Sequence, residues 1–188
     1  METTILISIV TALSALLGVA LTAYLQLRSQ RVTQHFQLTR DAAKHEREQV
    51  DQARGDAIRR LAEAHMLLSK IAREFSVTNL VILRGSKMTD SEYDLRYLLA
   101  CGELDELRAF AGLHEPPLME EIEKLNGQMN VFWGNFKNVL YLTHKGERVD
   151  HTTSCLTSAH AAANKIGAKV ASIKDRLAHL ALMMRDDK

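Results

Sequence analysis

The chain has 188 residues, with 24 Lys and Arg against 23 Asp and Glu, for a net charge of +1. A balance so close to neutral argues against a general nucleic-acid binder. Two cysteines, Cys101 and Cys155, do not make the framework of a secreted disulfide scaffold.

Residues Thr3 to Leu27 carry no charged side chain, a run of 25 neutral residues rich in Ile, Leu, Val and Ala. At 1.5 Å per residue such a helix is about 37 Å long, enough to cross a ~30 Å hydrocarbon layer with some tilt. A cleaved signal peptide would begin with a basic segment and end in a small-x-small site. Here the only charge before the run is Glu2, and the best cleavage site, Leu21-Thr22-Ala23, has a bulky residue where a small one is wanted. The run therefore reads as an uncleaved anchor, residues 1–27. Arg28, Arg31, Arg40 and Lys44 follow it against one acid, Asp41. Positive residues stay on the cytoplasmic side, so the expectation is a single-pass protein of the cell inner membrane, N-terminus outside and the bulk of the chain in the cytoplasm. Arg28 and Arg31 are placed to contact lipid head groups. Ser14, Gly18 and Thr22 lie four apart, a small-residue row that lets membrane helices approach closely. They are the candidates for self-association within the bilayer.

Residues 28–60 hold seven Arg and one Lys against five acids, so the basic excess sits beside the anchor. From Arg28 to Arg84 there is no proline and one glycine, Gly55, and the stretch reads as one long helix. Phe36, Ala43, Val50, Ala57, Ala64 and Ile71 recur every seven residues. Four positions beyond each come Arg40, Arg47 and Arg54, then Leu61, Leu68 and Phe75. The seam is half apolar at first and fully apolar later. This divides the helix into a solvated stalk, 28–56, and the first helix of a packed domain, 57–188. The β-branched stretch Val77–Leu83 suits a strand by composition, but no partner strand is evident, so continued helix to about Gly85 is expected.

Thr89 and Glu92 form a capping-box pattern. The helix they open places Tyr93, Tyr97, Ala100, Leu104, Leu107 and Ala111 at steps of four and three. Pro116-Pro117 opens the next helix, with Leu118, Ile122, Leu125, Met129, Phe132, Phe136 and Val139 in the same rhythm. Lys145-Gly146 ends it. Asp150 or Thr152 can cap the last helix, whose row is Leu156, Ala159, Ala163, Ile166, Val170, Ile173, Leu177, Leu180 and Met184. The expected fold is all-α: a transmembrane helix, a helical stalk and a cytosolic antiparallel four-helix bundle.

Chemistry-bearing motifs are scarce. His45-Glu46 is followed by Gln at position 49, so no zinc-protease motif forms. His151 and Cys155 are four apart but lack further ligands nearby. There is no nucleophile elbow, and Gly85-Ser86-Lys87 lacks the glycine spacing of a phosphate loop. No catalytic residue, metal site or cofactor is expected. Lys165, Lys169, Lys174 and Arg176 offer a basic surface for a small anionic ligand or an acidic protein partner. Asn126, Asn130, Gly134 and Asn138 form a row beside Trp133. The resulting expectation is a membrane-anchored interaction or sensor protein that tethers a partner or reads a cytosolic cue. Its contacts would be membrane lipid, other copies through the anchor and stalk, and the cytosolic partner or ligand. The alternative is an oligomeric, pore-type effector switched by a ligand on the bundle, as in antiphage or stress responses.

Overall fold

Among the described residues there are five α-helices: α1 (Glu2–Glu74), α2 (Val77–Gly85), α3 (Asp90–His114), α4 (Met119–His144) and α5 (Ser154–Asp186). A 3-10 turn at Pro116–Leu118 precedes α4. Among the described residues there is no strand, so the protein is all-α. The computed structural model describes residues 2–86 and 88–186; the side chains of 2–17, 20, 21, 23, 25, 27, 31, 32, 35 and 186 lie outside the described set. The chain divides into two units, Met1–Ala53 and Arg54–Lys188, and α1 contributes to both.

In the first unit every described side chain is exposed. Several bonds there join residues one turn apart on the helix. Thr22 Oγ1 donates to the Gly18 carbonyl at 2.7 Å and Thr33 Oγ1 to that of Ser29 at 2.9 Å. Lys44 and Glu48 pair one turn apart at 3.7 Å. Most side chains of the Thr3–Leu27 run, Ser14 among them, lie outside the described residues. Among the described residues no helix is long and apolar enough to cross a membrane, so the transmembrane expectation has no support there.

The second unit is a helical bundle. Its four long segments, the end of α1 with α3, α4 and α5, run antiparallel to their neighbours in turn. Glu74 and Lys70 of α1 meet Arg96 and Glu103 of α3. Asp94 and Arg108 of α3 meet Lys137 and Glu123 of α4. Glu121, near the start of α4, meets Arg176, near the end of α5. Lys174 of α5 reaches Ser69 of α1. In the first two pairs of helices, rising numbers on one face falling numbers on the next.

The rows of four-and-three spacing form the core. Leu61 and Leu68 of α1, Phe75 just beyond its end, Leu104 and Leu107 of α3, all seven residues of the α4 row and Leu156 through Leu177 of the α5 row are buried. Burying such a side chain contributes roughly 1.5–3 kcal/mol. Leu180 and Met184 pack against the core while partly exposed. Aromatic rings fill its centre: Phe75 meets Phe132 edge to face at 5.3 Å and Tyr93 meets Phe136 at 4.9 Å.

One element differs from the expected course. The long helix does not run through to Gly85 but breaks after Glu74. Ser76 is extended at φ −74°, ψ 154° and caps α2, its hydroxyl accepting from Asn79 N. The same hydroxyl donates to the Arg73 carbonyl at 2.9 Å, and Asn79 Nδ2 donates to the Glu74 carbonyl at 2.6 Å. Backbone groups freed by the break are thereby satisfied. Val77–Leu83, with the β-branched composition, is helical within α2. Arg84 fastens α2 to the loop before α5 by donating to the Val149 carbonyl.

The remaining helix ends follow local chemistry. The Thr89/Glu92 capping box is formed in both directions. Gly146, at φ +74°, closes α4. Gly146 N bonds the Thr143 carbonyl and Glu147 N the Leu142 carbonyl, the paired pattern in which a left-handed residue is favoured as glycine. Asp150 and Thr152 cap a turn rather than the helix itself: Asp150 accepts from Thr152 N at 2.9 Å, and α5 begins at Ser154.

Candidate functional site

Two polar constellations sit on the surface of the bundle, both built on α3. The first is a groove of about 510 Å³ between α1 and α3, lined by Lys70, Arg73, Glu74, Arg96, Leu99, Ala100 and Glu103. Its volume falls in the range of small-molecule sites. Antiparallel packing lays the last turns of α1 beside the middle of α3, so charged residues flanking the buried rows face each other. Arg96 grips Glu74 through both oxygens, Nε to Oε1 at 3.0 Å and Nη2 to Oε2 at 2.8 Å. That hydrogen-bonded carboxylate raises the Arg96 pKa above its ordinary value. The forked geometry makes this pair a fixed wall of the groove. Lys70 lies 3.6 Å from Glu103, an ion pair without a hydrogen bond. Arg73 has an exposed side chain and no ion-pair partner among the described residues. The apolar edge is Ala100, buried, and Leu99, which is 74% exposed.

The second constellation joins α3 to α4. Asp94 accepts from the Trp133 indole N–H at 2.9 Å and from Lys137 Nζ at 2.6 Å. These two bonds, Lys137 first, hold the Asp94 pKa below its ordinary value. Lys137 also lies over the Trp133 ring at 5.4 Å, and Tyr97 stacks on that ring at 5.2 Å. The Tyr97 hydroxyl donates to Asn130. The carboxylate of Asp94, the indole of Trp133, the ammonium of Lys137 and the hydroxyl of Tyr97 all bond within the cluster, which fastens α3 to α4.

The residues singled out from sequence are distributed differently. Lys165, Lys169 and Arg176 fall on one flank of α5, within about 40° of one another at 100° per residue, whereas Lys174 lies some 140° or more away. The contacts agree: Arg176 pairs with Glu121 of α4, while Lys174 donates to Ser69 Oγ of α1 at 2.6 Å. The four cations thus do not share one surface. Gly18, Thr22 and Arg28 are exposed, and a Cβ built on Gly18 would meet nothing within 4 Å. Ser14 and Arg31 have side chains outside the described residues. In the Asn row, Asn130 and Asn138 are exposed and Asn126 is half-buried.

Cys101 and Cys155 are free thiols, both half-buried. Among the described residues no three His, Cys, Asp or Glu side chains gather closely enough to hold a metal ion. The α1–α3 groove escaped the sequence reading because its charges come from two helices whose register only the fold sets. The available signal was Glu74, which flanks the apolar row of α1 beside Phe75.

No protein-family profile, no curated protein and no solved structure matches this chain.

Proposed function

We propose that this chain is a single-pass, membrane-anchored helical protein. It holds a partner, or reads a cytosolic cue, at the inner face of a membrane, and it is not an enzyme. Residues 1–27 serve as anchor, 28–56 as basic stalk and 57–188 as the cytosolic domain. One observation carries the reading: a 25-residue charge-free run followed directly by a basic segment. The exposed state of every described side chain in residues 2–53 supports it. Val19, Tyr24, Phe36, Leu38 and Val50 are 58–70% exposed in the single chain. Lipid around the run, and other copies along the stalk, would supply the missing cover.

Fractionation of cells making the full chain tests this. The expected result is retention in the membrane pellet after alkaline carbonate extraction, with the C-terminus cleaved by protease only in inverted vesicles. Recovery in the carbonate supernatant would overturn the anchor. Protection of the C-terminus in inverted vesicles would reverse the topology.

A second reading, an oligomeric pore-type effector switched through the bundle, draws on the exposed Gly18 and Thr22, which leave room for close helix approach. Dye leakage from induced cells that disappears in Gly18→Leu would favour it over simple tethering.

A further inference from the structure

The groove between α1 and α3 has an unequal distribution of charge. Three cations line it against two carboxylates, and they are not equally committed. Glu74 and Arg96 neutralise each other through two hydrogen bonds. Glu103 holds Lys70 at 3.6 Å without a hydrogen bond, and Arg73 has no ion-pair partner among the described residues. Lys70 and Arg73 are three residues apart on α1 and so lie on one face of it. Between them they present one free positive charge and one that is easily redirected. Across the groove stand Leu99 and Ala100, an apolar edge beside the cations.

A ligand matching this pattern carries close to two negative charges on one compact group, with a short apolar body beside it. A phosphate monoester has this form: about −1.5 to −2 charge near pH 7 and three strong acceptor oxygens. We propose that the groove binds a small amphipathic phosphate monoester, Lys70 and Arg73 holding the phosphate and Leu99 and Ala100 meeting the alkyl part. Glu103 competes with the ligand for Lys70, and Glu74 is kept out of the contest by Arg96. Arg73 and Glu74 also accept, through their carbonyls, the hydrogen bonds that close the α1–α2 joint. The ligand therefore sits on the last turn of the helix that continues toward the N-terminus. The site lies wholly within the second unit and does not depend on the membrane reading.

The test uses the full chain in dodecyl maltoside, titrated with n-butyl phosphate, inorganic phosphate and n-butanol by calorimetry and ³¹P NMR. Saturable binding of butyl phosphate is expected, with inorganic phosphate weaker and butanol silent. Lys70→Gln and Arg73→Gln should each weaken it about tenfold, the effect of losing one charge-assisted hydrogen bond. Glu103→Gln should tighten binding by releasing Lys70. Leu99→Ser should weaken butyl phosphate and leave inorganic phosphate unchanged. Lys165→Gln/Lys169→Gln on α5 should change nothing. Dihexanoyl phosphatidic acid separates two sources of the same chemistry: tighter binding than butyl phosphate supports the site with a lipid head group as ligand, and weaker binding supports it with a soluble ester. The absence of saturable binding would overturn the proposal. So would Lys70→Gln and Arg73→Gln proteins that bind like the parent with unchanged helical circular dichroism, or loss of binding in the α5 double variant. Carbonate extraction of the same chain reports on the anchor separately, so failure of one leaves the other standing.

Discussion

Phe75 and Phe132 meet edge to face at 5.3 Å, joining the end of α1 to the middle of α4. Neither ring has appreciable solvent exposure, and Phe75 also meets Tyr97 of α3 at 6.2 Å. Phe75 thus touches two helices from the residue at which its own helix stops. Phe75→Ala should cost about 3–5 kcal/mol of stability, the usual penalty for emptying such a site. The loss should appear in urea unfolding followed by circular dichroism. A loss under about 1 kcal/mol would mean that the joint collapses onto the vacated volume.

The break beside Phe75 rests on two side chains. Ser76→Ala removes both the cap on α2 and the bond to the Arg73 carbonyl, and Asn79→Ala removes the bond to that of Glu74. Each substitution should destabilise by about 1 kcal/mol, as for other lost helix caps. Because both act on the same joint, the double substitution should fall short of the sum. Amide exchange over residues 76–80 should accelerate in either variant.

Trp133 is the only tryptophan in the chain, so its fluorescence reports on one place. Lys137 and Trp133 hold the Asp94 pKa below the ordinary aspartate value. A carboxylate depressed on folding contributes stability that is present above its unfolded pKa of about 3.9 and is lost as pH falls through the lower folded value. Acid titration should therefore change Trp133 emission with a midpoint below the ordinary aspartate range. Asp94→Asn should abolish that step. A midpoint at or above the ordinary value would show that the Lys137 and Trp133 contacts do not persist in solution.

The Tyr93 hydroxyl is buried and has no hydrogen-bond partner among the described residues. Burial pushes the Tyr93 phenol far above its ordinary pKa, so the group stays neutral throughout the physiological range. Tyr93→Phe keeps the edge-to-face contact with Phe136 and removes the unsatisfied oxygen. The variant should match the parent in stability or exceed it by up to about 1 kcal/mol. A loss of about 1 kcal/mol or more in the unfolding midpoint would reveal a partner for the hydroxyl.

The bundle was legible in the sequence to the extent that its rows were regular. The α4 row from Leu118 to Val139 is buried throughout, and the α5 row is buried from Leu156 to Leu177. A seam with unbroken four-and-three spacing has one way to hide its apolar side chains. The Thr89/Glu92 box was legible for a similar reason, since both partners lie within one turn. The break at Phe75–Ser76 was not, because Phe75 continues the heptad of Leu61 and Leu68 and periodicity carries straight through it. Ser76 and Asn79 held the contrary signal, but polar residues at that spacing are also common inside helices. The groove and the Asp94 cluster depend on which residues of α3 face α1 and α4, a register that tertiary packing sets. The spread of Lys165, Lys169, Lys174 and Arg176 over both flanks of α5 was implicit in their numbering. Proximity in sequence made one surface of them, and helical rotation separates Lys174.

The stretch of α1 that opens the second unit shares one end of the bundle with the last turns of α5, where Ile58, Leu61, Ala62 and His65 face Leu177, Ala178 and Ala181. Tension applied between residue 54 and the last turn of α5 would load this pair in an unzipping geometry. Its contacts would open sequentially, turn by turn, instead of being sheared all at once. The bundle is thus mechanically soft along that line, and Lys174–Ser69 lies a few turns deeper in the path of the opening zipper.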